Sequence, residues 1–300
     1  MTALRLDDMR LTVSHVPDEV WVDTPTGLER SQVRFPDAAA VRRLAQRLAA
    51  LAGRRLDDAS PWVDASLPDG SRLHAVLPPI AASSPYICLR VLGRRRFSFA
   101  ELVEGATIAP PAAVLLEALI ADRRSFLVTG GTGSGKTTLL GALLSLVPDN
   151  ERLVLVEDAP ELLPSHPHVV RLVARPANIE GAGAVSLRDL VRQALRMRPD
   201  RLVVGEVRGA EAVDLLCALN TGHEGGCGTV HANSPAEVPA RLEALGAMGG
   251  IDRAGMHSQM AAGLDAIVHI ARAGRRRVVS QIAELDRDAS TVRVRPVWSC

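Results

Sequence analysis

The sequence predicts an α/β fold, a parallel sheet with helices on both faces preceded by a small α+β domain, and three observations carry that prediction. From Leu115 onward, short apolar runs (SFLVT, RLVLVE, HVVRLV, RLVVGE and GTVHA) alternate with segments of helical period such as TTLLGALLSLV and LRDLVRQALRM. Strictly alternating β and α units are what parallel strands joined by crossover helices require. The runs are almost continuously apolar, as expected of strands covered on both faces. Before about residue 105 the pattern is different, with short strands around tight turns and one amphipathic helix. The expected division is therefore residues 1–105, including the start of a linker, and residues 106–300.

In chain order, EVWVD and the stretch from Leu28 to Phe35 flank Pro25-Thr26-Gly27 and predict a strand pair. Asp37 can cap a helix running to about Ala52, with Val41, Leu44, Ala45 and Leu48 on one face and Gly53 just past its end. PWVDASL and RLHAVL flank Pro68-Asp69-Gly70, a strong turn signal between two strands. A linker is expected next, with Arg94 to Arg96 on one side and Pro110-Pro111 on the other. The segment PPAAVLLEALIA reads as a helix with Pro in its first turn. After the alternating region, RRRVVSQIAEL and STVRVRPV predict a terminal strand pair around an Asp-rich turn.

Composition narrows the function. With 47% hydrophobic residues in 300, the chain can bury a sizeable core. A net charge of +1 supplies no overall field toward nucleic acid or an acidic membrane, and 3% aromatics leave few platforms for stacking bases. Cys88, Cys217, Cys227 and Cys300 have no metal-ligand rhythm and read as reduced thiols. The opening MTALRLDDMRL places acids where a signal peptide needs an apolar run, and no apolar stretch reaches the roughly 18 residues of a membrane span. The expectation is a cytoplasmic protein that meets any membrane through partners. Of the 35 basic residues, only Lys136 is a lysine.

That lysine sits in Gly130-Gly131-Thr132-Gly133-Ser134-Gly135-Lys136-Thr137-Thr138, the phosphate-binding pattern GxxxxGK[ST], between a predicted strand and a predicted helix. Glycines let backbone N–H groups converge on phosphate oxygens. The helix presents its positive end, Lys136 can reach the terminal phosphates, and Thr137 can ligate magnesium. ATP with Mg²⁺ is the expected ligand. Two acidic strand ends follow. RLVLVE ends in Glu157 with Asp158 and Glu161 behind it, and RLVVGE ends in Glu206 with Arg208 after it. In a doubly wound sheet the carboxyl ends of strands line the ligand crevice, which brings both glutamates to the phosphates. Gly205 stands where an Asp is common.

GGTGSGKTT, VEDAPEL, RMRPDRLVVGEVRG and TGHEGGCGTVHANSP occur in order over roughly residues 125–245, and VWVD, GRRLDDASPWVD and LPDGSRLHAVLPP precede them. Together they resemble the CpaF/TadA branch of the type II/IV secretion system ATPases. The resemblance implies a RecA-like core and an ATP-hydrolysing motor for pilus assembly or secretion, working as a homo-hexamer on inner-membrane platform proteins. It implies Glu157 as the base that positions water and Glu206 as support for magnesium, roles that could be exchanged. It also implies His223 and His231 as sensors of the γ-phosphate, and an N-terminal arginine finger. Arg90 is the best-placed match for the finger, with Arg94, Arg95 and Arg96 competing. Closure around ATP is expected to hinge near residues 93–111.

Two other classes of function compete. A RecA-like motor on nucleic acid would use the arginine runs at 94 and 275 as phosphate contacts, but the charge balance and scarce aromatics speak against direct nucleic-acid binding. A nucleotide-dependent scaffold would have no need of the acids that accompany Lys136.

Overall fold

The computed structural model describes residues 10–13, 19–24, 27–91, 95–178, 181–274, 276–287 and 291–300. The chain forms two compact units, residues 1–95 with 177–183, and residues 96–176 with 184–300.

The first unit contains β1 (Arg10–Val13), β2 (Val20–Thr24), β3 (Gly27–Arg30), α1 (Ala38–Leu51), β4 (Trp62–Ser66), β5 (Arg72–Val76) and β6 (Tyr86–Arg90). The six strands make an antiparallel sheet in the order β3-β2-β1-β6-β5-β4. Asp37 caps α1 by accepting the Ala40 N–H at 2.6 Å. The helix buries Val41, Ala45 and Ala49 against Val63, Leu73, Ala75 and Ile87. Alternation along β4 turns Val63 and Ala65 inward and leaves Trp62, Asp64 and Ser66 exposed. The turn after β4 closes through Gly70 N–H to Leu67 O, with Gly70 at φ 88° where a side chain would be strained. β3 ends at Arg30, short of the expected Phe35, and Pro25-Thr26 of the predicted turn lies outside the described residues.

The second unit runs α2 (Phe99–Glu104), α3 (Pro110–Ala121), β7 (Phe126–Thr129), α4 (Lys136–Leu144), β8 (Leu153–Glu157), β9 (Val169–Val173), α5 (Leu187–Ala194), β10 (Arg201–Val207), α6 (Glu211–Leu219), β11 (Cys227–Val230), α7 (Val238–Met248), α8 (Arg253–Gly263), β12 (Ala266–Ala273), β13 (Arg276–Arg287) and β14 (Val292–Ser299). The sheet order is β14-β13-β12-β7-β11-β10-β8-β9. The six strands from β12 to β9 are parallel, and β13 and β14 add an antiparallel edge. Side chains from alternate strand positions divide the core. Phe126, Val128, Leu153, Leu155 and Val203 pack with α2, α3 and α4, whereas Leu127, Val154, Val156, Leu202 and Val204 pack with α5, α6, α7 and α8. This is the expected α/β class, with helices on both faces.

One segment departs from its reading. Residues 99–104 lie inside the expected linker, yet they form α2, which buries Phe99 and Leu102 in the core of this unit. Ser98 accepts the Glu101 N–H at 3.1 Å and the Glu101 carboxylate accepts the Ser98 N–H at 2.8 Å. This reciprocal cap satisfies donors that a six-residue helix would otherwise leave open.

Candidate active site

The sheet order decides which loops meet. β7, β11, β10 and β8 are consecutive neighbours and parallel, so their carboxyl ends open on one edge. That edge holds the glycine loop after β7, His231 after β11, Glu206 near the end of β10 and Glu157 at the end of β8.

Gly130, Gly133 and Gly135 take φ values of 151°, 70° and 101°, which side-chain-bearing residues rarely adopt. A Cβ on Gly130 would lie 2.2 Å from the Ile270 carbonyl oxygen and 2.7 Å from Ser134 Oγ, so the loop closes against β12 only with glycine there. Lys136 is 7% exposed. Its ammonium donates to the Gly130 carbonyl at 3.0 Å and the Gly131 carbonyl at 2.9 Å, and lies 3.3 Å from His231 Nδ1. The Ser134 hydroxyl is buried with no partner, a donor at the loop's centre left for a ligand oxygen. Thr132 and Thr138 are exposed and Thr137 is half-buried. An orphan hydroxyl, a glycine cradle and a single ammonium fit a phosphate chain, and the Thr137 hydroxyl suits a magnesium ion.

His231 connects the loop to the acids. Its Nε2 lies 3.1 Å from Glu206 Oε1. Burial first, and then the Lys136 ammonium, lower its pKa against the opposing pull of Glu206. In the neutral ring, Nδ1 accepts from Lys136 and Nε2–H donates to Glu206. Glu206 reaches this position because the β10–β11 register shifts between Val204 and Val207, a bulge around Gly205-Glu206. The Thr229 hydroxyl fastens it by donating to the Gly205 carbonyl at 2.7 Å.

Glu157 is 2% exposed. Its Oε1 accepts the Glu161 and Leu162 amides at 2.9 and 2.7 Å. Oε2 stands 2.9 Å from Arg171 Nε but out of line for a hydrogen bond, so it keeps a free acceptor site. Burial raises its pKa to about 6 against the lowering effects of the Leu162 amide and the Arg171 charge. Gly205 makes room for this side chain, since a Cβ there would meet Glu157 Cγ at 2.9 Å. The absence of an Asp at 205 thus has a steric reason. Arg171, which sequence reasoning passed over, is marked by its charge in the otherwise apolar strand VVRLV. Arg208 pairs with Asp158 at 2.7 Å and ties the loops after β10 and β8.

Within the second unit, one candidate lies away from this edge. His223 precedes β11 in the turn that leads into its amino end, where the Gly226 carbonyl accepts the Phe126 N–H, on the side of the sheet opposite His231. Its Nδ1 is buried without a partner. Arg90 ends β6 of the first unit, exposed and in register with Arg72. Arg95 and Arg96 are exposed, and Arg94 lies outside the described residues.

Comparison with known proteins identifies the family. The family model described as "Type II/IV secretion system protein" matches residues 8–296. A Mycobacterium tuberculosis protein named "Putative conjugal transfer protein Rv3659c" is 60% identical over 290 residues, 94% of this chain and 82% of that protein. Type IV secretion system protein PtlH of Bordetella pertussis is 34% identical over 249 residues, 75% of this chain and 73% of its own. Among solved structures, the VirB11 ATPase of the Brucella suis type IV secretion system aligns with a TM-score of 0.52 at 25% identity, covering 92% of this chain and 89% of that one. The pilus retraction motor PilT, at 20% identity, shares the fold with a TM-score of 0.65 over 94% of this chain and 79% of its own. The phosphate loop, the acidic strand tips and these matches lead to one conclusion: the chain belongs to the type II/IV secretion system ATPase family.

Proposed function

We propose that this chain hydrolyses ATP to ADP and phosphate, and that it does so as the motor of a pilus-assembly or secretion apparatus of the CpaF/TadA kind. The observation that carries the reading is the pairing of a glycine cradle and its one ammonium with a buried glutamate whose pKa is raised to about 6 on the same sheet edge. A general base works best when its pKa approaches the working pH, and burial tunes Glu157 in that direction. Its free Oε2 would take a proton from water and orient that water in line with the γ-phosphate. The loop amides, the Ser134 hydroxyl and Lys136 would bear phosphate charge. Magnesium, held through Thr137 with Glu206 supporting it, would neutralise charge on the phosphate oxygens. His231 would report phosphate loss, because it links Lys136 to Glu206. A role for His223 or for the Arg90 finger would be exercised toward a neighbouring subunit of a homo-hexamer, and inner-membrane platform proteins would take up the work. No helix among the described residues is long and apolar enough to cross a membrane.

Steady-state phosphate release separates this reading from a nucleotide-dependent scaffold. Lys136→Ala should abolish release and Glu157→Gln should lower it by about 100-fold while nucleotide still binds. Equal rates in wild type and both variants would refute hydrolysis at this site.

A second reading keeps the ATPase and changes the apparatus, since relatives are named conjugal transfer proteins. Deleting the gene from a donor strain and scoring surface pili against conjugal transfer distinguishes the two.

A further inference from the structure

The arginine run at 275–277 has no part in the mechanism above, yet the fold carries one of its members to the phosphate loop. β13 pairs antiparallel with β12 and β12 lies beside β7, so the start of β13 returns to the edge where the loop opens. There the Arg277 side chain lies over Gly135. A Cβ on that glycine would meet Arg277 Cδ at 3.1 Å and stand 3.8 Å from its Nε, with Ile270 Cδ1 at 3.5 Å. The Arg277 side chain is exposed and makes no hydrogen bond or ion pair among the described residues. Its partner across the strands is Arg272, also exposed, so two like charges face each other in register. Like charges directly opposite destabilise a strand pair, and among the described residues neither guanidinium has a carboxylate partner. An anion held between the hairpin and the loop would compensate.

The direction of the ligand follows from strand order. The acids and His231 all lie on the β11, β10 and β8 side of the loop, whereas Arg277 lies on the β12 and β13 side. A triphosphate with its γ end toward the acids must carry its nucleoside end toward β13. We propose that Arg277 is a nucleotide-binding residue that grips ATP and ADP at the nucleoside end. Its guanidinium pairs with the α-phosphate and lays its flat face against the base. This rests on the loop being an ATP site, as proposed above. Because the contact lies away from the bond that breaks, it contributes to binding in ground state and transition state alike.

Calorimetric titration with MgADP, together with steady-state ATPase assays, tests the assignment in wild type, Arg277→Ala, Arg277→Gln, Arg277→Lys and Lys136→Ala. Removing the guanidinium should raise the Kd for MgADP and the KM for ATP about tenfold and leave kcat within about twofold, with Lys recovering part of the loss. The Gln variant keeps the length of the side chain and serves if the Ala variant proves poorly folded. Unchanged MgADP affinity in both Arg277→Ala and Arg277→Gln, with binding lost in Lys136→Ala, overturns the assignment and leaves the ATP site standing. A fall in kcat at constant KM also overturns it. If wild type itself takes up no MgADP, the ATP-site reading fails first.

Discussion

Glu157 shows how much chemistry depends on the placement of one side chain. Two amides hold one of its oxygens, Arg171 stands beside the other, and burial outweighs both in setting its pKa near 6. If it is the base, kcat/KM should fall about tenfold for each pH unit below 6, and a pH profile of ATPase activity should show that acid limb. The same shift has a stability consequence. Between the ordinary carboxylate value of 4.5 and 6 the folded state holds a proton the unfolded chain has lost, so stability falls as pH rises through that window and is flat above it. The expected loss is about 2 kcal/mol, and urea titrations of Glu157→Gln should lack it. Gly205 is tied to the same side chain. Gly205→Ala places a Cβ 2.9 Å from Glu157 Cγ, so activity should drop by at least about tenfold while the fold persists, and an unaltered kcat would show that Glu157 has room to move. The glutamate itself was legible as an acid ending an apolar strand. Its burial and the reason for a glycine across from it were not, because both depend on β8 and β10 lying side by side.

At the scale of elements, local signals predicted most helices and strands and missed a few for identifiable reasons. The S-x-x-E signature of α2 is plain in SFAE, but the helix is only six residues long and lies between an arginine run and a proline pair, so it reads as linker. Its stability comes from the reciprocal cap and from Phe99 and Leu102 in the core, and Ser98→Ala should cost about 1 kcal/mol in a denaturant titration. β12, the run AIVHIARA, is as apolar as the other strands, and its neighbour β13 starts only three residues later. The start of β10 carries a different device. Arg201 is 1% exposed, pairs with Glu151 at 2.6 Å and donates to the Ile120 carbonyl at 3.0 Å. Gly225, at φ 76°, leaves space for its guanidinium, since a Cβ there would come within 2.2 Å of Nη1. Arg201→Ala leaves Glu151 with Arg123 as its remaining arginine partner and opens a cavity, and should lower stability by about 2 kcal/mol in the same assay.

Over the whole molecule, the proposed motor implies a ring that nucleotide holds closed. Light scattering with a non-hydrolysable ATP analogue should give six times the mass of one chain, and a monomer with and without the analogue would count against the ring. Direct binding to nucleic acid is not expected from a chain with net charge +1, and a labelled single strand should remain unbound even at low salt. By itself the sequence determined the phosphate loop, the α/β alternation and the motif order that marks the family, because each is written in neighbouring residues that bias their own backbone. Only the tertiary structure decided which candidates share an edge. It joined His231 to Lys136 and Glu206, left His223 at the far end of β11, and folded the terminal hairpin back so that Arg277 covers Gly135. Strand order and register are set by packing between segments far apart in the chain, and local propensity carries no record of that pairing.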